Sequence, residues 1–456
     1  MKRLLLIAYY FPPDGGGGVQ RPVKFCRYLA DFGWQPIVLT RDTRDASAWQ
    51  LDADASLAAE IGASTRVHRV GVEPARDWAR TLPTIDIARD WLEPALREAH
   101  RLVREQSIDA VMITMSPFDL CFVGQRLQAA FDIPVIYDLR DPWALDGWRL
   151  HGTRRRWRQD HAAMTQTLSN ARGVIANTPE SARALRQVIP DLDETRLATI
   201  TNGYDAADFV EPCKPPFEPD AVLFRLVHTG TFVSRELYRY DGLLGKIKRW
   251  RHHRPRRIDV SGRTPHHLLR AIHRLRRAHP SLGRRLRLVC VGQLDPWTQR
   301  CVDASGLQDV VSCTGYQPHA QSIAWVRHAD ALFLPLGGLP AGERSLIVPG
   351  KTYEYLAARR PILAALPAGD ARDMVARSGL GFCADPCDEA ALARALVTMA
   401  ETREAGALDK TAAMPAWLSE YERRALTQRL AAFLDRLTGT SSAAREASAV
   451  PAGGGA

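Results

Sequence analysis

A chain of 456 residues, 46% apolar and 25% charged, has the length for two or three domains and the composition of an ordinary globular protein. A small disulfide-stapled module, a collagen-like chain and a disordered chain are excluded, and no apolar run approaches the roughly 18 residues that span a bilayer. The net charge of +10 is local: between Lys246 and Arg287 there are 15 Lys or Arg against one acid, Asp259, so the rest of the chain is slightly acidic. The opening MKRLLLIAYYFPP turns too early for a signal peptide and has no small-residue cleavage site, so the expected location is cytoplasmic. The eight cysteines are scattered, and the one close pair, Cys383 and Cys387, lacks CxxC spacing and nearby histidines. Buried, reduced thiols are expected rather than a metal or redox site.

In chain order, RLLLIAYYF (3–11) and QPIVLT (35–40) have buried-strand character and flank a helical face carrying Val23, Phe25, Cys26, Leu29 and Phe32. The alternation continues with a strand at 64–72, a helix from Trp91 to Glu105, and a strand at 110–116. A helix around Gln125 to Phe131, a strand at 134–139, a helix up to Ala171 and a strand at 173–178 follow. Residues 199–203 close this half. Short apolar strands alternating with helices predict a parallel sheet covered on both faces. Residues 205–221 are proline-rich and aperiodic, as interdomain links are. A second βα series has strands at 224–230, 285–292, 310–315, 331–336, 361–366 and 381–384. The expected organisation is therefore an α/β chain of two doubly wound, Rossmann-like domains, 1–204 and 222–415. A C-terminal helix over 416–437 and a disordered tail over 438–456 complete it. Ligands of such sheets bind where the carboxyl ends of the strands meet the following loops, so the motifs belong just after strands.

Asp14 and Gly15, Gly16, Gly17 and Gly18 follow the first strand and precede the first helix, where backbone N–H groups and the helix dipole receive an anion. The dinucleotide fingerprint fails, because the sixth position from Gly15 is Gln20. Gly350, Lys351 and Thr352 resemble the end of a P-loop, but the required first glycine is Ser345. A lysine and a hydroxyl in the first helical turn still suit a diphosphate, and Glu354, one turn later, is an acceptor suited to two ribose hydroxyls. DLRDPW (138–143) sets Asp138, Arg140 and Asp141 at a strand end, where such charges call for a ligand, mutual pairing or solvent. The two Asp-x-Asp triplets, Asp52 to Asp54 and Asp191 to Asp193, fall in polar stretches away from strand ends and read as solvated loops.

Six blocks in order resemble the retaining GT-B glycosyltransferases of the family 4 group, in its bacterial sugar-nucleotide-using branch. They are AYYFPPDGGGGVQRPVKFCRYLADFGWQPIVLT, IYDLRDPW, ANTPESARALR with TNGYDAADF, HTGTF, TGYQPHAQSIAWVRHADALFLPL and VPGKTYEYLAARRPILA. The resemblance implies transfer of a sugar from a nucleoside diphosphate donor to a saccharide or lipid-linked saccharide, with retained anomeric configuration and without a metal or other cofactor. It implies an acceptor on the first domain, served by the loop of Gly15 to Gly18, and a donor on the second. The donor site then takes Thr229, Gly230 and Thr231 after the first strand, Gly315 and Tyr316 at the base, Gly350, Lys351 and Thr352 at the diphosphate, and Glu354 at the ribose. Three departures stand out. The first of the family's two glutamates would fall at Leu346, with Glu343 three residues early. A histidine common in the family falls at Arg140, which leaves polar help to the reacting sugar with Asp138, Arg140 and Asp141. The usual Arg and Lys pair after the GTF-like loop is reduced to Arg235, so Arg235 and Lys351 are the expected phosphate cations.

A GT-B sugar-nucleotide epimerase and a non-catalytic relative are the rival readings. A nucleic-acid-binding role for 246–287 is disfavoured, because that stretch offers a single stacking platform, Trp250, and no Phe or Tyr. The same stretch is instead expected to dock on an anionic membrane face, with Ile247 and Trp250 in the headgroup layer, in keeping with a cell-envelope polysaccharide role.

Overall fold

The computed structural model describes residues 1–44, 54–75, 88–232, 252–406 and 414–448, the side chains of Ala55 and of residues beyond 439 excepted. It divides into two compact units. The first comprises Met1–Leu145, Arg155–Thr201 and the chain from Arg423 onward; the second comprises Asp146–Arg154 and Asn202–Glu422.

The first unit is built on a seven-stranded parallel sheet. Its strands are β1 (Lys2–Ile7), β2 (Trp34–Arg41), β3 (Arg66–Val70), β4 (Ala110–Met115), β5 (Val135–Leu139), β6 (Gly173–Ala176) and β7 (Leu197–Thr199), in the order β3-β2-β1-β4-β5-β6-β7. Every residue of β4, β5 and β6 is buried, as the unbroken apolar runs require of a sheet covered on both faces. One cover includes α3 (Arg89–Glu105), α4 (Cys121–Ala130) and α5 (Arg154–Ser169). The other includes α1 (Gly17–Tyr28) and the final helix α15 (Arg423–Ser448), whose Leu426, Leu430, Phe433 and Leu434 are buried against the sheet. The short α2 (Ala55–Ala59) starts on Asp54, whose carboxylate accepts from the backbone N–H of Ser56, and α6 (Pro179–Val188) is capped by Thr178. Asp54 is thus a buried helix cap rather than the solvated loop residue expected from its Asp-x-Asp triplet.

The second unit holds a six-stranded parallel sheet. Its strands are β8 (Phe224–Thr229), β9 (Leu286–Val291), β10 (Val311–Cys313), β11 (Ala331–Pro335), β12 (Ile362–Ala365) and β13 (Gly381–Ala384), in the order β10-β9-β8-β11-β12-β13. The strand order reverses between β8 and β11, the switch point at which open α/β sheets bind ligands. α7 (Ala207–Val210) precedes these strands, α8 (His266–Ala278), α9 (Pro280–Arg285), α10 (Pro296–Ser305), α11 (His319–His328), α12 (Lys351–Ala358) and α13 (Asp370–Arg377) lie between them, and α14 (Glu389–Glu404) follows the last.

The domain boundaries differ from the sequence expectation in three places. Residues 205–221 are fastened to the second unit: His319 Nε2 meets Asp208 Oδ2 at 2.9 Å, and Arg327 donates to the carbonyls of Asp208 and Glu211. The predicted C-terminal helix is divided, with residues up to Glu422 in the second unit and α15 in the first. That helix also runs on to Ser448 through residues expected to be disordered, because small residues such as those of SSAAREAS carry good helix formers among them. Finally, Asp146–Arg154, inside the predicted first domain, packs with the second unit. Gly147 makes this possible, since a Cβ there would stand 2.5 Å from Ile258 Cδ1, and Arg254 donates to its carbonyl at 3.0 Å.

Candidate active site

At the switch point, β8 ends in Thr229 and turns through Gly230, whose φ of +85° favours glycine. Tyr355, buried on α12, fixes this turn: its hydroxyl oxygen accepts from Thr229 N–H at 2.9 Å and lies 3.2 Å from Thr229 Oγ1. A Cβ on Gly292 would approach Gly230 O to 2.9 Å, so the neighbouring strand end closes tightly on the same turn. Thr231 is exposed beside it.

Lys351 opens α12 and its ammonium donates to the carbonyl of Thr229. It also lies 3.4 Å from His228 Nε2. Burial and the nearby Arg263 guanidinium lower the lysine to about 7, partly opposed by Glu354 one turn along. His228, fully buried, is held well below the usual imidazole range by burial and by Lys351, so it is neutral. Its other ring nitrogen faces Phe333 O at 3.0 Å, which places the proton on Nδ1 and leaves Nε2 as an acceptor toward Lys351. Phe232 stacks on the ring at 4.2 Å. Arg263 lies over Trp148 at 5.1 Å, so its plane is supported from the Asp146–Arg154 segment.

Of the predicted donor-site residues, Thr229, Gly230 and Lys351 are thus in one cluster, and Gly350 and Glu354 belong to the same helix start. Thr352 is fully buried, and its hydroxyl has no partner among the described residues, so it does not sit on an open surface. Gly315, with φ +71° and open space about it, follows β10, and Tyr316 is next to it. Arg235 lies outside the described residues. Arg263 is the second cation that the structure brings to Lys351. Sequence reasoning passed over it because it sits within the basic stretch read as a surface; the signal available was the Gly262–Arg263 pair just before α8.

In the first unit, Gly16 caps α1 with φ +86°, and Gly18 leaves room for Arg140, since a Cβ there would be 2.8 Å from Arg140 Nη2. Gly15 precedes the cap, and Gly17 and Gly18 are the first two residues of α1 rather than part of a loop before it. Burial lowers Arg140, opposed by Asp141 and Asp138. Asp141 is exposed. Asp138 is placed differently from a cleft residue: both its oxygens are taken by Arg21, at 2.9 and 2.7 Å, and both side chains are 1% exposed. Arg21 also donates to the carbonyls of Thr201 and Ile200. Asp138 therefore belongs to a buried pair that ties β5 and α1 to the end of β7. Asp14 is likewise taken, by Arg41 at 2.9 Å to each oxygen.

In the loop between β11 and α12, Glu343 accepts from Arg256 at 3.2 Å. The basic stretch is largely committed to structure where it is described. The apolar face of α8 is buried, Arg270 and Arg274 pair with Glu389, Arg276 with Asp309 and Arg285 with Glu404. Lys246 to Arg251, including Ile247 and Trp250, lie outside the described residues.

Two units, each built on a doubly wound parallel sheet, are the architecture of a GT-B protein. Family models agree: residues 16–203 match the glycosyl transferase 4-like domain, and residues 257–402 match glycosyl transferases group 1. The two matches together span well over half of the chain, which belongs to the GT-B glycosyltransferases. Among solved structures, a sucrose-phosphate synthase from Thermosynechococcus elongatus is similar at 16% identity and TM-score 0.57, over 98% of this chain and 100% of that one. WaaG, a glycosyltransferase involved in lipopolysaccharide biosynthesis, aligns at 14% identity and TM-score 0.55, over 96% and 99%. The UDP-GlcNAc 2-epimerase from Methanocaldococcus jannaschii aligns at 9% identity and TM-score 0.53, over 95% and 99%. Likenesses at these identities concern the fold. No curated protein matches in sequence.

Proposed function

We propose that this glycosyltransferase is a retaining, family 4 type enzyme that moves a sugar from a nucleoside diphosphate sugar to a saccharide or lipid-linked saccharide, without a divalent ion. The observation that carries the donor assignment is the joining of Lys351, Arg263 and the Thr229–Gly230 turn at the switch point of the second sheet. A diphosphate there meets two cations, and the N–H groups at the start of α12 add their dipole. Those same groups stabilise the charge that grows on the leaving phosphate as the glycosidic bond to the donor breaks, which is the role a metal plays in other enzymes. Glu354 accepts from the ribose hydroxyls, with Gly315 and Tyr316 at the base. Arg140, beside Gly18, is the acceptor-side cation of the first unit, with Asp141 near it, while Asp138 holds the strand end that presents them.

The test is incubation with UDP-, GDP- and ADP-sugars and a panel of saccharide acceptors, with and without EDTA. The expected result is nucleoside diphosphate and a new glycoside of unchanged anomeric configuration, insensitive to EDTA. An isomerised sugar nucleotide with no glycoside would make the protein an epimerase, and inversion or an absolute requirement for manganese or magnesium would overturn the mechanism. No described helix is long and apolar enough to cross a membrane. A peripheral role at an anionic cytoplasmic membrane face, serving cell-envelope polysaccharide synthesis, rests on the charge of Lys246 to Arg287. Its test is salt-sensitive flotation with anionic but not neutral liposomes. Because Arg270, Arg274, Arg276 and Arg285 are engaged in ion pairs, and Arg254 and Arg256 are held by Gly147 O, Arg344 O and Glu343, the part from Lys246 to Arg251 is the portion that this reading requires.

A further inference from the structure

Besides the donor site, the second unit has an open cleft of about 940 Å³, the size of a small-ligand site. It is lined by none of the donor-site residues. Its walls come from the Asp146–Arg154 segment, the segment leading into α8, the loop after β11 and the loop after β13. The walls are fixed by backbone pairing. His253 and His151 exchange N–H···O bonds of 2.9 Å, and Asp259 and Gly338 exchange bonds of 2.8 and 2.9 Å.

The side chains facing this cleft are of two kinds. Arg254, Arg256, Arg257, Asp259 and Asp385, with His252 beside them, supply polar, planar groups, the charged ones of both signs. Leu150, Ile258 and Leu339 supply aliphatic surface. Arg256 is held in place by Arg344 O at 3.0 Å and Glu343 at 3.2 Å, and Asp259 by Ser261 N at 3.0 Å. Arg257 is exposed and has no hydrogen bond or ion pair among the described residues, and Asp385 is exposed with one oxygen accepting from Cys387 N–H at 3.1 Å.

A lining of this kind does not suit a simple anion: Arg254 is held on the carbonyls of Gly147 and Trp148, Arg256 pairs with Glu343, and two aspartates stand with the remaining arginine, Arg257. It does not suit a metal either, since no cluster of metal-ligating side chains occurs among the described residues. Sugar hydroxyls both donate and accept, so adjacent hydroxyls pair with an arginine fork on one side and a carboxylate on the other. Sugar C–H faces pack on aliphatic surface. We propose that this cleft is a saccharide-binding site on the second unit that holds part of the acceptor glycan, with Arg257 and Asp385 as its free hydrogen-bonding pair. The proposal rests on the glycosyltransferase reading above for the ligand's role, and on the cleft alone for its chemistry.

The full-length protein is applied to an immobilised array of di- to tetrasaccharides, and binding of UDP, GDP and ADP is measured in parallel by thermal shift. The wild type is expected to retain a subset of the oligosaccharides. Arg257→Ala with Asp385→Ala should weaken that retention at least tenfold while leaving the nucleotide-induced shift unchanged, and Arg257→Lys should restore part of it. No oligosaccharide retained by the wild type, or equal retention by the double variant, overturns the proposal. Loss of the nucleotide shift in the wild type, with saccharide retention intact, would instead overturn the donor-site reading and leave the cleft standing.

Discussion

Lys351 sets a pH dependence of donor binding. In the ligand-free protein, burial and Arg263 bring its ammonium to about 7, and Glu354 and the Cys290 thiol oppose the shift. The other group facing it, His228, is neutral throughout this range. A bound diphosphate brings two negative charges against the same nitrogen and holds the proton on it, so binding above pH 7 must take up a proton. The affinity of a nucleoside diphosphate sugar, whose diphosphate does not titrate here, should be flat below about pH 6. Above 7 it should fall about tenfold per pH unit, or about 1.4 kcal/mol. Calorimetry at pH 6 and 8 in buffers of different ionisation enthalpy measures both quantities, with uptake near zero at pH 6 and approaching one proton at pH 8. Lys351→Met should bind weakly and lose the pH dependence. In the absence of ligand the linkage has a related sign. A lysine depressed in the folded state binds fewer protons there than in the unfolded chain, so stability rises as pH climbs from about 7 toward the ordinary lysine range. A donor affinity that does not change between pH 6 and 8 with the wild type, or an unchanged dependence in Lys351→Met, would refute this reasoning.

Arg263→Leu should weaken donor binding and move the midpoint of that pH profile upward, because the guanidinium that depresses Lys351 is gone; a downward shift counts against their proximity. Trp148→Ala should do the same more mildly by loosening Arg263, with Trp148→Phe recovering most of the loss. Glu354→Gln should cost about 1.5–3 kcal/mol in donor affinity with an unchanged melting temperature, as loss of a charged acceptor does; equal affinity excludes it as the ribose ligand. Asp138→Asn should destabilise the fold by about 3–5 kcal/mol, since it leaves the Arg21 charge buried and unpaired. Arg140→Ala should instead lower kcat/KM more than about tenfold, with little change in melting, and the reverse pattern in the two variants would exchange their roles.

The strands of both sheets were legible because each is a short apolar run bounded by turn residues, and a strand buried on both faces needs nothing else. All six strands of the second sheet lie where the runs from 224 to 384 place them. What the pattern did not carry is which unit a segment joins. Residues 205–221 have the proline content of a free link, yet His319 and Arg327 bind them to the second unit. The Asp146–Arg154 segment has no composition that separates it from its neighbours. Its membership depends on Gly147 meeting Ile258 and on Trp148 against Gly337, where a Cβ would lie 2.6 Å from the indole, contacts between residues over 100 positions apart in the chain.

The same distinction governs the site. Lys351 and Glu354 were legible because a glycine followed by a helix start is a local signal with a direct electrostatic meaning. Asp138 and Arg140 are two residues apart and both charged, and only what faces them separates the pair: Arg21 encloses one, and the missing Cβ of Gly18 makes room for the other. Arg263 was hidden for a different reason. A long basic segment stands between the Thr229–Gly230 turn and α8, so counting forward from the turn leads to Arg235, whereas counting back from α8 leads to Arg263. A charge that acts on a ligand is fixed by the element that anchors it, and here that anchor is the start of α8 together with the Trp148 indole beneath the guanidinium. The net charge of the segment therefore says little about its purpose: Arg263 stands beside Lys351, several of its arginines pair with acids on the unit's own surface, and Arg257 lines the neighbouring cleft.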